Sequence, residues 1–220
     1  MGQQPVLEGL APLATLPLDL GMDMPLTRRT LLSVAVSAIA VPAVAAPIDA
    51  RRTERAIGNP AAAATVIECF SLTCPHCANF AQETLPDLKT RWISPGKLHW
   101  VFYDFPTDGI ALQAATVART LPPDRYEPFI NVLFATQDRW AYGAGGDAQN
   151  ALWNTASQSG MDRPTFEKAI ADTDLRDWIV GRALDAEKRW SVDATPSFLV
   201  NGKLYTGDMS ATEFAKILGS

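Results

Sequence analysis

The residues best suited to chemistry are two cysteines separated by two residues, in the segment Cys74-Pro75-His76-Cys77. Two cysteines at this spacing can close a small disulfide, and the first lies at a predicted helix start, where backbone N–H groups and the helix dipole favour a thiolate. Cys74 is therefore predicted to be the nucleophile that forms mixed disulfides, and Cys77, one helical turn deeper, the thiol that resolves them. His76 can bring an N–H group or a positive charge to the Cys74 sulfur, which would stabilise the reduced form and make the disulfide an oxidant.

Two other interpretations of the cysteine pair are a permanent disulfide and half of a metal site. The 220-residue chain has 3 cysteines and 2 histidines, whereas a structural zinc site normally takes four such ligands at paired spacings. We therefore predict no metal and no cofactor, and favour a redox-active pair because the motif follows a strand and opens a helix. The formal net charge of -5 argues against a nucleic-acid partner bound by a general basic surface.

The hydrophobic pattern around the motif predicts a strand before it and a helix after it. The β-branched and mostly apolar run 65–70 is typical of a buried central strand. Apolar residues then recur at spacings of three or four over 77–92, which predicts a helix. Pro75 falls at the first helical position, where its missing N–H costs nothing, and Pro86 should kink the helix. A second strand is predicted at 98–103.

The rest of the chain predicts a helical subdomain and a short return to the sheet. The stretch 107–189 carries several apolar stripes at helical spacing, which we interpret as the core of the subdomain rather than as a cofactor site. Asn201-Gly202 lies between two short apolar runs and predicts a tight hairpin. Ser210 and Glu213 form a predicted capping box at the start of a last helix.

The first 45 residues have the pattern of an export signal. No charged residue occurs in 30–48, and the pair Arg28-Arg29 before this stretch resembles a twin-arginine signal. The small residues 43–45 predict cleavage and a mature start near Ala46; an uncleaved membrane anchor is the alternative. Export would place the cysteines outside the cytosol, where disulfide chemistry is permitted.

These observations divide the chain into four segments. Residues 1–45 are the predicted leader and signal peptide, and the charged stretch 49–55 that follows is interpreted as an N-terminal tail of the mature chain. Residues 46–106 form the first part of the core with the cysteine pair. Residues 107–189 form the inserted helical subdomain, and residues 190–220 complete the core with a proline loop, the hairpin and the last helix.

The stretch from about residue 59 to 218 resembles the DsbA-like thiol:disulfide interchange family of the thioredoxin superfamily. The resemblance rests on Phe70-Ser71-Leu72-Thr73-Cys74-Pro75-His76-Cys77, on the helical insert and on Thr195-Pro196. It implies an α/β thioredoxin fold with an inserted all-helical subdomain. It also implies that the peptide bond before Pro196 is cis and faces the cysteine pair, so that the backbone before it can pair with a substrate strand. Thr195, Pro196 and Pro75 are accordingly expected to contact the substrate.

Three further residues on the predicted strands could take part in chemistry. Glu68 corresponds to the buried carboxylate that many thioredoxin-fold oxidoreductases carry beneath the active site, and with a raised pKa it could relay the proton that Cys77 loses. The alternative is an acid paired with a nearby lysine. Cys69 should point to the opposite face of the strand and be an inert buried thiol rather than a third redox partner. His99 is expected to be structural rather than a ligand.

The resemblance leaves the direction of the reaction open, because the family contains disulfide donors, isomerases and reductases. His76 favours the donor, whereas a threonine like Thr195 before the cis-proline also occurs among isomerases. Fewer than twenty residues separate Ala46 from the first predicted strand, too few for the separate dimerisation domain that the isomerases carry. We therefore favour a monomeric oxidase of the periplasm that acts on folding exported proteins with cysteines.

Two further expectations concern partners and a different class of function. By analogy, an oxidase of this kind needs a DsbB-like, quinone-linked membrane protein to recharge its disulfide. The alternative is a chaperone or an adaptor that binds unfolded secreted chains through the insert and the core, with the cysteine pair incidental. Replacing Cys74 with Ser would separate the two, because a chaperone would keep its activity toward a cysteine-free client.

Overall fold

The chain folds around a mixed β-sheet, seen here in a computed structural model that describes residues 48–143 and 145–219. Its strands are β1 (Arg55–Gly58), β2 (Ala64–Phe70), β3 (Leu98–Asp104), β4 (Ser197–Val200) and β5 (Lys203–Thr206). Their order in the sheet is β1-β3-β2-β4-β5. β2 and β3 are parallel, and the other neighbouring pairs are antiparallel. β2 is therefore the central strand. Its carboxyl end, which leads into the cysteine pair, lies between β3 and β4.

Helices cover both faces of this sheet. They are α1 (Pro75–Asn79), α2 (Leu85–Leu88), α3 (Gly109–Arg119), α4 (Pro123–Ala135), α5 (Ala148–Gln158), α6 (Arg163–Ala171), α7 (Thr173–Trp190) and α8 (Ala211–Leu218). The helices α3 to α7 lie between β3 and β4 in the chain, where the sequence predicts an all-helical insert. The α/β fold class with a helical insertion is therefore confirmed.

The alternation of side chains along β2 divides the core into two parts. Val66 and Phe70 belong to the larger part, together with residues of α1, α2, α3, α4 and α8. Cys69 belongs to the smaller part, which it shares with Leu199 of β4 and with Ala183 and Ala186 of α7. Because successive side chains of a strand point to opposite faces, the sequence pattern of β2 alone assigns each residue to one part or the other.

The helix that follows the cysteine pair contains two wide turns, on either side of Pro86. Residues Phe80–Thr84 and Lys89–Ile93 have π-helical hydrogen bonding, and α2 lies between them. Pro86 has no N–H and its ring crowds the carbonyl four residues earlier, so an ordinary α-turn cannot continue through it. π-turns on either side of a proline are one way in which a helix accommodates this misfit, and the kink at Pro86 stays a prediction.

The interpretation of 49–55 as a tail is wrong. Ala50–Arg52 form a short 3-10 helix, and Arg55 begins β1 with a side chain that is 1% exposed. The Arg55 Nη2 atom donates to the carbonyl oxygen of Arg119 at 3.1 Å, and Arg119 Nε donates to Asp104 Oδ2 at 2.5 Å. Charged residues are rarely buried without a partner, and the charged composition of this segment therefore suggested that it is exposed. The partner of Arg55 lies more than sixty residues further along the chain, where no local pattern indicates it.

The predicted hairpin and capping box are both present. Asn201 and Gly202 have positive φ angles of 49° and 85°, the backbone that a tight hairpin turn between β4 and β5 requires. Ser210 and Glu213 hydrogen-bond each other reciprocally at the start of α8. The predicted export signal lies outside the described residues. Within 48–143 and 145–219, no helix has the length and apolarity needed to cross a membrane.

Candidate active site

Cys74 lies at the junction between β2 and α1. β2 ends at Phe70, and the backbone turns so that the Cys74 N–H donates to the carbonyl oxygen of Ser71 at 3.1 Å. Cys74 is the N-cap residue of α1, and its side chain makes no capping hydrogen bond. Pro75 takes the first helical position, as predicted. The sulfur therefore lies at the positive end of the helix with its side chain free to react.

The Cys74 sulfur faces the peptide between Thr195 and Pro196, which is cis as the resemblance implies. In its thiol form, Cys74 Sγ donates to the carbonyl oxygen of Thr195 at 3.2 Å. A hydrogen bond from the Cys77 thiol is the largest of the interactions that lower the pKa of Cys74, to about 5; the Thr195 side chain and the backbone N–H groups of Cys77 and His76 add to it, and burial opposes it. Donors aimed at a thiolate stabilise it, so Cys74 is ionised at neutral pH.

Cys77 is the opposite of Cys74 in both exposure and acidity. Its side chain is fully buried in the larger part of the core. Burial raises the pKa of Cys77 well above its usual value, and the hydrogen bond it donates to Cys74 and the nearby charge of Cys74 raise it further. The pair therefore holds one sulfur as an accessible thiolate and the other as a protected thiol, and all three cysteines of the chain are free thiols in this structure.

Pro75 and His76 lie between the two cysteines, on the exposed first turn of α1. His76 interacts with the Cys74 sulfur through its backbone N–H. The imidazole of His76 is exposed. His76 therefore helps to lower the pKa of Cys74 through its main chain rather than through the side chain that the sequence predicts.

Glu68 is buried beneath the cysteine pair, as the sequence predicts, with a side chain that is 2% exposed. Its Oε2 atom accepts a hydrogen bond from Trp100 Nε1 at 2.9 Å. Burial raises the pKa of Glu68 to about 8, and the hydrogen bond from Trp100 opposes this rise. The alternative of an acid paired with a lysine is wrong, because the partner that the structure gives Glu68 is an indole. The charge of Glu68 also raises the pKa of Cys77, so the two groups interact.

Cys69 and His99 lie apart from this cluster. Cys69 is fully buried in the smaller part of the core, on the face opposite Glu68, as predicted. Burial raises the pKa of Cys69 to about 12, which leaves it protonated and weakly reactive at neutral pH. His99 Nε2 lies 3.2 Å from Glu54 Oε1, next to β1. No group of three or more possible ligands within 48–143 and 145–219 is arranged to hold a metal ion.

Two residues of the insert, neither predicted from the sequence, hold the backbone around Cys74. Gln137, which is buried, donates through Nε2 to the carbonyl oxygens of Leu72 and Cys74 at 2.8 and 3.1 Å. The hydroxyl of Tyr142 donates to the carbonyl oxygen of Thr73, while its ring stays 60% exposed. Both donors lie at least sixty residues after the motif, in a stretch whose pattern shows only a helix. No local signal could have identified them.

A second set of polar side chains holds the same loop from the other direction. Ser71 Oγ lies 2.9 Å from Thr107 Oγ1, and Thr73 Oγ1 donates to Asp108 Oδ2 at 2.5 Å. Asp108 also caps α3 by accepting the N–H of Ala111. The loop before Cys74 is therefore fixed through its side chains by the start of α3, and through its carbonyl groups by Gln137 and Tyr142.

Comparison with known proteins agrees with this geometry. The sequence profile described as Thioredoxin matches residues 50–220. A Rickettsia conorii protein that is named as a protein-disulfide oxidoreductase is 27% identical over 172 residues, which cover 78% of this chain and 61% of the relative; the chain thus spans less than two thirds of that protein.

Two solved structures have the same fold. Wolbachia pipientis alpha-DsbA1 superposes with a TM-score of 0.71 at 27% identity, covering 76% of this chain and 90% of the other. BdbD of Bacillus subtilis superposes with a TM-score of 0.65 at 21% identity, covering 76% and 91%. With a family profile that matches residues 50–220 and a solved DsbA structure that superposes at 27% identity, the chain belongs to the thioredoxin family and is a DsbA-like member of that superfamily.

Proposed function

We propose that the protein is a thiol:disulfide oxidoreductase that donates its Cys74–Cys77 disulfide to folding exported proteins through a mixed disulfide. The observation that carries this proposal is the difference between the two sulfurs. Cys74 is an accessible thiolate with a pKa lowered to about 5, whereas the buried Cys77 has a pKa well above its usual value. A stabilised thiolate favours the reduced form of the enzyme, and a stabilised reduced form makes the disulfide an oxidant.

The reaction begins on the oxidised enzyme. A client thiolate attacks Cys74 Sγ, the Cys74–Cys77 bond breaks, and a bond forms between Cys74 and the client sulfur. Cys77 leaves as a thiolate and takes up a proton. A second client thiolate then attacks the first client sulfur, which closes the client disulfide and releases Cys74 as its stable thiolate. Two electrons pass from the client to the enzyme.

Glu68 supplies the proton that Cys77 takes up in this scheme. It is buried near Cys77, and its pKa of about 8 leaves it protonated at neutral pH. In the reverse direction, the Glu68 carboxylate removes the Cys77 proton, so that Cys77 can attack Cys74 and release the bound client.

The client segment next to the reacting cysteine lies along Thr195 and Pro196 in this proposal, with Pro75 on the other side of the sulfur. Thr195 is half-buried, and within residues 48–143 and 145–219 its backbone N–H has no hydrogen-bond acceptor. An extended client strand could supply that acceptor, since unpaired backbone groups at such an edge are a usual site for strand addition. The Thr195 carbonyl oxygen, which accepts the Cys74 thiol, would become available when Cys74 is ionised or bonded to the client.

The setting of this activity is the periplasm, where the twin-arginine-type signal at Arg28-Arg29 would deliver the chain. We propose a monomer that works without metal, cofactor or nucleic acid. A DsbB-like membrane protein would oxidise Cys74 and Cys77 again after each turnover. The named function of the Rickettsia conorii relative supports the reaction class.

The reduction potential of the Cys74–Cys77 pair tests the direction of the reaction. A value nearer to about −120 mV than to about −270 mV supports the disulfide donor, and a value near the lower figure supports a reductase. Oxidation of a reduced, unfolded client by the disulfide form should be lost in Cys74→Ser. If the unchanged protein did not oxidise the client, and Cys74→Ser prevented aggregation of a cysteine-free client as well as the unchanged protein does, the chaperone alternative would replace this proposal.

A further inference from the structure

Glu68 and Trp100 form a buried pair on one face of the sheet. Trp100 of β3 lies opposite Val66 of β2, and Glu68 is two residues after Val66, so both side chains point to the same face. Trp100 Nε1 donates to Glu68 Oε2 at 2.9 Å, and neither side chain is more than 2% exposed. Because an indole nitrogen can only donate, Trp100 is the donor of this hydrogen bond and Glu68 is the acceptor.

Aromatic rings hold the indole in place on its other sides. Trp100 stacks on Phe80, with ring centroids 5.7 Å apart and an angle of 13° between the planes. Phe198 of β4 and Phe214 of α8 pack against it at 6.0 and 5.7 Å. A large side chain packed this closely has few alternative rotamers, and its N–H is therefore fixed toward Glu68.

Among the residues that the structure describes, the Glu68 carboxyl group has no cationic partner. Within residues 48–143 and 145–219, no lysine, arginine or histidine forms an ion pair with Glu68, and its pKa responds only to burial and to the Trp100 hydrogen bond. The titratable groups that its charge affects are Cys77 of α1 and Cys69 of its own strand. A cation would hold the carboxylate ionised, whereas a neutral donor leaves both protonation states accessible near neutral pH.

We propose that Trp100 is the positioning residue of the proton relay: its N–H holds the Glu68 carboxyl group in one orientation and adjusts its acidity for proton exchange with Cys77. This inference rests on the proposed function of Glu68. As the Cys74–Cys77 bond breaks, the Glu68 acid gives its proton to the leaving Cys77 thiolate. In the reverse step the Glu68 carboxylate takes that proton back, and Trp100 keeps its own proton throughout.

The titration of the Glu68 carboxyl carbon by NMR tests this role, in Cys74→Ser/Cys77→Ser protein so that neither active-site thiol titrates nearby. The signal is assigned by its loss in Glu68→Gln. Adding Trp100→Phe, which keeps an aromatic ring and removes the donor, is expected to raise the midpoint by about one pH unit, a tenfold change in the ionisation equilibrium. Trp92→Phe, which changes another buried tryptophan and keeps the Trp100 donor to Glu68, is the matched control and should leave the midpoint where it was.

A second measurement leaves the aromatic core unchanged. The indole N–H resonance of Trp100 should shift with pH at the same midpoint as the Glu68 carbon, and the shift should vanish in Glu68→Gln. A pH-independent resonance in protein that retains Glu68, or a Trp100→Phe midpoint equal to that of the control, would overturn the role of Trp100.

Activity measurements separate this inference from the proposed function. In Trp100→Phe, the pH profile of mixed-disulfide resolution by Cys77 should move to higher pH with the Glu68 midpoint, whereas a purely structural loss would lower the rate equally at every pH. A rate lowered equally at every pH therefore counts against the relay role of Trp100 while oxidase activity persists. If the unchanged protein does not oxidise a reduced client at all, it is the proposed function that fails.

Discussion

The Cys74 sulfur and the Thr195 carbonyl oxygen lie 3.2 Å apart, although the two residues are separated by 121 positions in the chain. This contact joins the loop after β2 to the loop before β4. It also places the Thr195 side chain among the groups that lower the pKa of Cys74, behind the larger contribution of Cys77.

The order of these two contributions can be measured. In reduced protein we expect the Cys74 thiolate, followed by its ultraviolet absorbance or its alkylation rate, to titrate with a midpoint of about 5. Cys77→Ala removes the strongest donor and should raise the midpoint most, and Thr195→Val should raise it less. Cys69→Ala serves as the control, since Cys69 lies on the other face of the sheet. A midpoint that neither Cys77→Ala nor Thr195→Val moves would contradict this account of Cys74.

Glu68 predicts a pH-dependent stability of the reduced protein. Its folded pKa of about 8 lies above the ordinary value of 4.5. The contribution of Glu68 protonation to the free energy of unfolding is therefore fully present below pH 4.5 and is lost as the pH rises through 8. Glu68→Gln should therefore match the unchanged protein in free energy of unfolding near pH 4. It should be more stable by several kcal/mol near pH 9. Urea denaturation at both pH values measures the difference, and an equal difference at both would show that Glu68 does not titrate in this range.

Gln137 gives a prediction for the insert. Gln137→Met keeps most of the side-chain length but removes the donor to the carbonyl oxygens of Leu72 and Cys74. We expect the reduced protein to lose about 1–3 kcal/mol of stability, and the reaction of Cys74 with a disulfide to slow. Gln149→Met, at an exposed position of α5, should change stability by no more than about 0.5 kcal/mol. Equal effects of the two substitutions would argue against a supporting role for Gln137.

The buried pair of Arg119 and Asp104 predicts a large loss of stability. Arg119 also donates from Nη1 to the carbonyl oxygens of Arg51 and Thr53, both at 3.0 Å. Arg119→Leu leaves the buried Asp104 carboxylate without its cationic partner, which should cost about 3–5 kcal/mol in chemical denaturation. Arg163→Ala, which breaks an exposed ion pair, should cost about 1 kcal/mol or less. A loss for Arg119→Leu as small as that control would mean that Asp104 does not need a cation.

Local patterns predicted the parts of the molecule that depend on neighbouring residues. The strand before Cys74, the helix after it, the turn at Asn201 and the alternation that separates Glu68 from Cys69 all follow from residue type and spacing. The cis bond before Pro196 followed from the resemblance.

Long-range contacts account for what the sequence did not predict. The charged segment containing Arg55 was interpreted as a tail because its partner, Arg119, is 64 residues away. The partner of Glu68 is Trp100 rather than a lysine. The sequence does not indicate this contact, because a tryptophan on a strand has the pattern of any other core residue. Gln137 carries no local signal for the same reason.

The helical insert supplies Gln137 and Tyr142, whose side chains donate hydrogen bonds to the main chain that carries the nucleophile. A minimal protein engineered by excising α3 to α7 would keep both cysteines and the proline loop. It would nevertheless lose two of the hydrogen-bond donors that hold the backbone around the reactive sulfur. Grafting this motif onto a smaller scaffold therefore requires that those donors be transferred as well.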